Sequence, residues 1–284
     1  MSEARRYAPF ATFIAFACVA CGGRVLDASP VTNSDGGPPS SGILAVPTTE
    51  ALRAVWGSSS SDVWAVGSNG AIVHFDGTSW IRSDSGTTEN LTSVMGADSS
   101  DVWATGDSGS VLFWNGSGWV PTAQTSGTVL LSVWVNSVTD VWAVGVDGTN
   151  GYVRHFNGSG WVEADVPGST SLWQVWASGP NDIWMAGDSG PTVGLLLRGD
   201  GSMATPFNAT SYSGAGLRAI WGVDANDLWV APYQGLVQHW DGAAWSAAST
   251  TPAGQSLFGV GGTARDDVWA VGIGGATFHY DGSA

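Results

Sequence analysis

Histidine and aspartate recur in this sequence in patterns that could serve metal binding. The four histidines each precede an aromatic residue and an Asp-Gly or Asn-Gly pair, and they are His74, His155, His239 and His279. Six aspartates each stand two residues before a tryptophan, and they are Asp62, Asp101, Asp140, Asp182, Asp227 and Asp267. Imidazole and carboxylate groups that meet at one point bind zinc or calcium. A metal site is therefore the first chemistry to consider.

The spacing of these residues argues against a metal site. The intervals between successive aspartates are 39, 39, 42, 45 and 40 residues, which is the period of a propeller array with one blade per repeat. The histidines then lie on separate blades, and Phe113 and Arg198 fill the same position in the other two repeats. We predict no metal and no cofactor. We interpret each aspartate as a turn-fixing residue and each following tryptophan as inter-blade packing.

Each repeat predicts four short strands. LRAVW at 52–56 is short and apolar, as expected of a buried inner strand, and DVWAVG follows it. Asn69-Gly70 and Asp76-Gly77 predict the next two turns. Charged residues make up only 12% of the chain and there are 41 glycines, a composition that suits many strands and tight turns.

The ends of the array predict how the ring closes. The sixth repeat stops at HYDGSA, after its third strand, and Ile43 to Val46 resemble the fourth-strand text of other repeats. We expect this N-terminal strand to complete the last blade, because closure removes exposed sheet edges. The predicted fold is all-β, a six-bladed β-propeller of four-stranded blades over residues 42–284.

The N-terminus predicts export. Two arginines precede an apolar stretch from Ala8 to Ala20, which is too short to span a bilayer and fits a secretory signal. Val19-Ala20-Cys21 resembles the bacterial lipobox, in which the cysteine is lipidated. We therefore predict a lipoprotein-type signal peptide over residues 1–21 with Cys21 as the lipidation site, and a flexible Gly/Pro/Ser-rich tether over 22–41. The predicted location is the bacterial outer membrane or cell surface, with simple secretion as the alternative.

The charge balance limits the class of partner. Nine basic residues, all arginine, stand against 24 acidic ones, and the formal net charge is −15. Such a chain repels phosphate backbones, so we predict no nucleic-acid binding. Membrane contact is expected only through the lipid anchor.

Loop variation predicts where a ligand binds. The turns after the first and third strands keep nearly constant length, whereas the turns after the second strands and the links between blades vary, and variable loops on a constant scaffold carry binding. The second position of the first strand also changes from blade to blade, as Arg53, Thr92, Leu131, Trp173, Arg218 and Phe258. The two arginines of this set could recognise an anion. Its tryptophan could stack on a sugar or an apolar side chain, together with three loop tyrosines, Tyr152, Tyr212 and Tyr233. Structural or solvated use of each residue is the alternative.

The consensus L-x-x-V-W-G-x-x-x-x-D-V-W-A-V-G-x-x-G-x-I-x-H-F-D-G-x-x-W resembles the tryptophan-rich propeller repeats of exported bacterial lipoproteins, of the kind abundant in myxobacteria. The resemblance covers nearly all of residues 42–284. The second half of the consensus is distantly similar to the Asp-box repeats of sialidase-type propellers. The resemblance implies a fold and an exported address, and little chemistry.

Three classes of function are compatible with these patterns. The first is an exported, lipid-anchored and monomeric binding module that recognises a protein or glycan on the cell surface or envelope. The second is a sialidase-like or lyase-like propeller enzyme acting on glycans, which would need an acid/base pair and, in sialidases, an arginine cluster. The third is an envelope scaffold without a small ligand. We predict binding and no enzymatic activity.

Overall fold

The computed structural model describes residues 45–166, 168–190, 193–203, 208–213, 216–247 and 256–282. The predicted signal peptide, its Cys21 and the predicted tether lie outside the described residues. The chain forms six antiparallel sheets, each with its strands in chain order.

The first three sheets have four strands each. The first comprises β1 (Leu52–Ser59), β2 (Asp62–Gly67), β3 (Ile72–Phe75) and β4 (Trp80–Ser83). The second comprises β5 (Leu91–Asp98), β6 (Asp101–Gly106), β7 (Val111–Trp114) and β8 (Trp119–Ala123). The third comprises β9 (Thr128–Ser137), β10 (Asp140–Asp147), β11 (Asn150–Phe156) and β12 (Trp161–Val166).

The fourth and fifth sheets also have four strands, and three strands of the sixth are described. The fourth comprises β13 (Ser171–Gly179), β14 (Asp182–Asp188), β15 (Val193–Gly199) and β16 (Asn208–Ser213). The fifth comprises β17 (Leu217–Asp224), β18 (Asp227–Pro232), β19 (Gln238–Trp240) and β20 (Trp245–Ala247). The sixth comprises β21 (Leu257–Ala264), β22 (Asp267–Gly272) and β23 (Thr277–Tyr280).

The sheets are the blades of a ring. Consecutive inner strands pack on one another, β1 on β5, β5 on β9, β9 on β13, β13 on β17 and β17 on β21. The hydrophobic core lies between blades: Trp64 of the first blade, for example, packs with Leu91, Leu112 and Trp119 of the second. The predicted six-bladed β-propeller is confirmed. The repeated tryptophan packs between blades as expected in the first five blades, whereas Trp269 of the sixth blade is 47% exposed.

The predicted hairpin between the second and third strands is present. Asn69 and Gly70 take φ values of 53° and 66° within a single 3₁₀ turn, and Ser108 and Gly109 repeat this geometry. These positive φ angles favour asparagine and glycine. Among the described residues, none of the helices has the length and apolar character needed to span a bilayer.

The closing strand requires a correction for its described part. Ala45 and Val46 lie outside any strand, and both are exposed. Pro47 follows directly, and proline has no N–H to continue a ladder. Ile43 and Leu44 lie outside the described residues, so the remainder of the expected strand stays a prediction.

Candidate binding site at the rim of the propeller

The strand order assigns the turns to two faces of the ring. Because neighbouring strands are antiparallel, the turns after first and third strands lie on one face, and the turns after second strands lie on the other with the inter-blade links. We call the second the variable face and the first the constant face. Each blade thus presents the start of its inner strand and the end of its second strand together on the variable face.

In the four blades that carry the histidine, the repeated Asp, Trp and His residues form a clasp near the constant face. In the third blade, Asp140 Oδ1 lies 2.9 Å from Trp142 Nε1 and 2.8 Å from His155 Nε2, and the two rings stack with centroids 3.9 Å apart. Equivalent Asp–His bonds join Asp62 to His74, Asp227 to His239, and Asp267 to His279. No group of three metal-ligating side chains occurs among the described residues.

The clasp adds a second role to the one expected for the aspartate. As the spacing predicted, the carboxylate bonds across the turn after the first strand, for example from Asn136 Nδ2 to Asp140 Oδ2 at 3.0 Å. Its other oxygen also fastens the second strand to the third through the His side chain. In the fourth blade, Arg198 replaces the histidine, lying 2.6 Å from Asp182 with its guanidinium over the Trp184 ring at 4.6 Å. A nitrogen-bearing side chain bonded to the aspartate and the indole beside it are both preserved, so the clasp belongs to the scaffold.

The third and second blades together show how the clasp affects the pKa of its carboxylate. Burial acts to raise the pKa of Asp140, but hydrogen bonds from His155 and Asn136 outweigh it and hold the pKa below its usual value. In the second blade Phe113 stands in the histidine position, and burial raises the pKa of Asp101 despite a bond from Trp103. Without a histidine that bonds it, the buried carboxylate of the second blade is therefore poorly compensated.

Three of the predicted binding residues converge on the variable face. Trp173 is the third residue of β13 and Arg218 the second residue of β17, each directly after the repeated leucine, and Tyr233 directly follows β18. The Arg218 guanidinium carbon lies 3.6 Å from the Trp173 ring centroid and 5.0 Å from that of Tyr233. Asp188, the last residue of β14, accepts a hydrogen bond from Trp173 Nε1 at 2.7 Å. We call these four residues the rim cluster.

The two charged groups of the rim cluster lie close together, but some of their polar atoms lack hydrogen-bond partners. Arg218 Nη2 and Asp188 Oδ2 are 3.9 Å apart, beyond hydrogen-bond distance. Arg218 Nε and Asp188 Oδ1 are buried without a hydrogen-bond partner among the described residues. Burial lowers the pKa of Arg218, against the opposing charge of Asp188. The Arg218 side chain is 19% exposed and its Nη2 is not bonded to Asp188, so its terminal nitrogens retain capacity to bond a ligand.

Phe258 extends the rim cluster toward the sixth blade. Its ring lies 5.9 Å from that of Tyr233 in an edge-on arrangement, and it is 38% exposed. The sequence marks Phe258 as variable without selecting it for binding. Asp188 was missed altogether, because a carboxylate at the end of a second strand has no repeat signature.

The other predicted residues lie elsewhere. The Arg53 guanidinium is 3.4 Å from Ser68 Oγ of its own blade. Tyr152 lies in β11 instead of a loop and is 4% exposed. Tyr212 lies in β16, opposite Gly194, where a loop was expected. A longer third blade hairpin and a fourth strand built from the inter-blade link account for the two misplaced tyrosines.

Tyr152 belongs to a buried cluster that sequence reasoning did not find. Arg154 is fully buried, donates to Gly109 O of the second blade at 2.9 Å, and lies 2.7 Å from a Glu163 oxygen. Burial and a hydrogen bond to Glu163 raise the pKa of Tyr152 to about 12. Arg154 also donates to Thr125 Oγ1. This cluster joins the second and third blades.

Comparison with known proteins was made by sequence and by structure. No protein-family model and no curated protein matches this chain. YCF48 from Cyanidioschyzon merolae aligns with a TM-score of 0.53 at 12% identity, over 84% of this chain and 97% of that one. A structure of YCF48 bound to D1 peptide aligns with a TM-score of 0.45 at 14% identity, over 84% and 95%.

A second protein aligns over a comparable part of this chain. The extracellular domain of the hybrid two component system BT4673 from B. thetaiotaomicron gives a TM-score of 0.64 at 11% identity. The match covers 85% of this chain and 33% of that one, so this chain spans about a third of its length. At these identities the likeness concerns architecture, and the chain shares the β-propeller fold of these proteins.

Proposed function

We propose that this chain is an exported, lipid-anchored β-propeller binding module that recognises a protein or glycan through its variable face. The observation that carries the proposal is the rim cluster, in which two neighbouring blades bring together Trp173, Arg218 and Tyr233 around a carboxylate. The likeness to an extracellular domain agrees with an exported location.

The chemistry of the rim cluster suits recognition. Arg218 can donate to a carboxylate, a carbonyl or a hydroxyl group, and stacking on Trp173 fixes the plane of its guanidinium. The exposed Phe258 ring and the neighbouring Tyr233 offer an apolar surface beside it. Sites of this kind, with aromatic walls and few polar groups, are typical of ligand binding.

The same site gives less support to the enzyme alternative. A sialidase-type site would need several arginines together, and among the described residues Arg218 is the arginine that lies in the rim cluster, with Arg53 bonded to Ser68 in the first blade. The carboxylate there, Asp188, is already bonded to the Trp173 indole. The groups present in the rim cluster therefore support ligand binding better than glycan hydrolysis.

The binding proposal is tested by screening the chain on a glycan array and on a library of envelope peptides. Arg218→Ala and Trp173→Ala should lose the ligand, because each removes one wall of the rim cluster. Arg265→Ala is the matched control, since Arg265 is an exposed arginine paired with Asp224 on the constant face. Ligand binding that survives the first two variants would place the site elsewhere, and no ligand for the folded chain would favour the scaffold alternative.

The anchor is tested separately by labelling producing cells with an alkyne fatty acid. The chain should take up the label, and Cys21→Ser should abolish it while Cys18→Ser does not. An unlabelled chain in the culture medium would replace the lipid anchor by simple secretion.

A further inference from the structure

The rim cluster holds a hydrogen-bond donor and an acceptor that face each other without bonding. Arg218 Nη2 lies 3.9 Å from Asp188 Oδ2, which is too far for a direct hydrogen bond. The two side chains are 19% and 12% exposed, so each can be reached from solvent. A ligand group that fits this gap must accept a hydrogen bond from the arginine and donate one to the aspartate.

The surrounding contacts hold both sides of the gap in place. The Arg218 guanidinium carbon lies 3.6 Å from the Trp173 ring centroid and 5.0 Å from that of Tyr233, which fixes the plane of its donors. Trp173 Nε1 donates to Asp188 Oδ2 at 2.7 Å. The other carboxylate oxygen packs against Gly216, where a Cβ atom would lie 1.3 Å from Asp188 Oδ1. The carboxylate is held on two sides, so the gap belongs to the folded structure.

A hydroxyl group satisfies both sides of the gap with one atom. Its oxygen accepts one hydrogen bond and donates another. An oxygen that lies about 2.8 Å from each atom fits between two atoms 3.9 Å apart. Both hydrogen bonds involve a charged partner, and such bonds are stronger than those between neutral groups.

An exposed aromatic ring lies next to the gap. Phe258 is 38% exposed and stands edge-on to Tyr233, with ring centroids 5.9 Å apart. A pyranose ring carries hydroxyl groups at its edge and C–H groups on its faces. A sugar with one hydroxyl in the gap can therefore lay a C–H face, its own or that of the next sugar, on the Phe258 ring.

Other ligand groups fit the gap less well. A carboxylate would accept from Arg218 but would bring a second negative charge beside Asp188, in a chain whose formal net charge is −15. A backbone peptide group is trans, so its C=O and N–H point in opposite directions and do not both reach the gap. The primary amide of a glutamine side chain can reach both atoms, but it is flat and polar and leaves the Phe258 ring uncovered.

We propose that the ligand of the rim cluster is a neutral glycan, one of whose hydroxyl groups bridges Arg218 Nη2 and Asp188 Oδ2. This inference rests on the binding function proposed above and narrows its ligand from a protein or glycan to an uncharged sugar. Asp188 is then a specificity-determining residue, because it accepts the hydroxyl proton and repels the carboxylates that Arg218 alone would attract.

The proposal is tested with pairs of sugars that differ by one carboxylate. Methyl glucoside and methyl galactoside are compared with methyl glucuronide and methyl galacturonide by saturation-transfer NMR titration against the full chain. The wild type should bind the neutral member of at least one pair about tenfold more tightly than the uronide. Arg218→Ala should lose that binding.

The decisive variant is Asp188→Asn, which keeps an oxygen for the Trp173 indole and removes the charge beside Arg218. It should weaken the neutral sugar about tenfold and bind the uronide at least as tightly, reversing the preference. Asp107→Asn is the matched control, because Asp107 holds the equivalent position after β6 but bonds Asn90 Nδ2 at 2.8 Å instead of facing an arginine. The control should keep the preference of the wild type. A purely structural role for Asp188 would weaken both sugars alike and would overturn the proposal.

Phe258→Ala supplies a measurement that does not depend on the aspartate variant. Because this side chain is exposed, the variant should fold normally, and it should weaken the neutral sugar several-fold without changing the preference between sugar and uronide. An unchanged affinity would overturn the assignment to a sugar ring.

Three further outcomes separate this inference from the binding function on which it rests. A uronide preferred by the wild type, or tighter binding of N-acetylglutamine amide, at a site that Arg218→Ala abolishes would overturn the neutral glycan and keep the binding function. Failure of every sugar would do the same if a ligand found by the array or the peptide library still depends on Arg218. If no ligand depends on Arg218, the neutral glycan and binding at the rim cluster both fail.

Discussion

Two arginines of this propeller stand beside aromatic rings and a carboxylate, yet their surroundings differ. Arg154 is fully buried, donates to Gly109 O at 2.9 Å, and lies 2.7 Å from Glu163. The Arg218 side chain is 19% exposed, and its nearest carboxylate, Asp188, is 3.9 Å away. Both Nε atoms are buried without a hydrogen-bond partner among the described residues, so the difference lies in the terminal nitrogens.

This difference in hydrogen bonding distinguishes an arginine that stabilises the fold from one that can bind a ligand. The terminal nitrogens of Arg154 are used within the fold, because they join the second and third blades through Gly109 and Thr125. Those of Arg218 face a carboxylate without bonding it, and the ring of Trp173 holds their plane. A guanidinium whose plane is fixed by stacking, but whose terminal nitrogens are not hydrogen-bonded to the nearby carboxylate, is available to a ligand.

The largest expected effect is on the buried arginine. Arg154→Ala should lower the free energy of unfolding by about 3 kcal/mol, because it leaves a cavity and removes the donors that bridge two blades. Chemical denaturation measures the loss, with Arg82→Ala, at an exposed arginine of β4, as the control that should change little. A loss for Arg154→Ala no greater than the control's would remove the distinction between the two arginines.

Substitution of Arg218 should affect ligand affinity more than stability, in contrast to substitution of Arg154. Arg218→Ala should change the free energy of unfolding by no more than about 1 kcal/mol, since no fold hydrogen bond to a described residue is lost. Its effect should appear in titrations of the ligand found by the array, where affinity is lost. Arg218→Lys keeps the charge without the planar fork and should recover only part of that affinity. A large loss of stability in either variant would make Arg218 a structural residue.

The repeats explain why the fold was predictable and the site only partly so. Aspartate spacing, the leucine at or near the start of each inner strand and the Asn69-Gly70 turn are local signals, and each has its expected counterpart in the strands and turns. The exception is the N-terminal strand, whose described residues Ala45 and Val46 do not pair. Pairing between the two ends of a chain is a long-range property that no local pattern encodes.

The rim cluster shows what repeat alignment can and cannot find. Alignment selects Trp173 and Arg218, because a position that varies against a constant background stands out. It cannot find Asp188, which enters the cluster by lying at the end of β14 beside the Trp173 indole. It also misplaces Tyr152, because the third-blade hairpin is longer than the others and carries this residue into β11 and a buried interface.

The same distinction between satisfied and unsatisfied groups applies to the clasp carboxylates, and here the expected effect is smallest. Burial raises the pKa of Asp101, whose blade has Phe113 in place of a histidine, with Asp98 adding a like charge. An acid with a raised pKa binds its proton more tightly in the folded state, so the wild-type protein gains stability as the pH falls through that pKa. Asp101→Asn keeps an oxygen for the Trp103 indole and removes the buried charge.

Asp101→Asn should therefore be neutral or stabilising by up to about 1 kcal/mol at pH 7, with the gain shrinking as the pH falls toward 4. Asp140→Asn is the matched control. The pKa of Asp140 is lowered, because bonds from His155 and Asn136 outweigh its burial, so its contribution is present at neutral pH and is lost as the pH falls through that lowered value. Asp140→Asn should destabilise at pH 7 and converge with the wild type in acid. Urea unfolding between about pH 2 and 7 measures both, and equal losses for the two variants at pH 7 would show that the histidine is not what compensates the clasp.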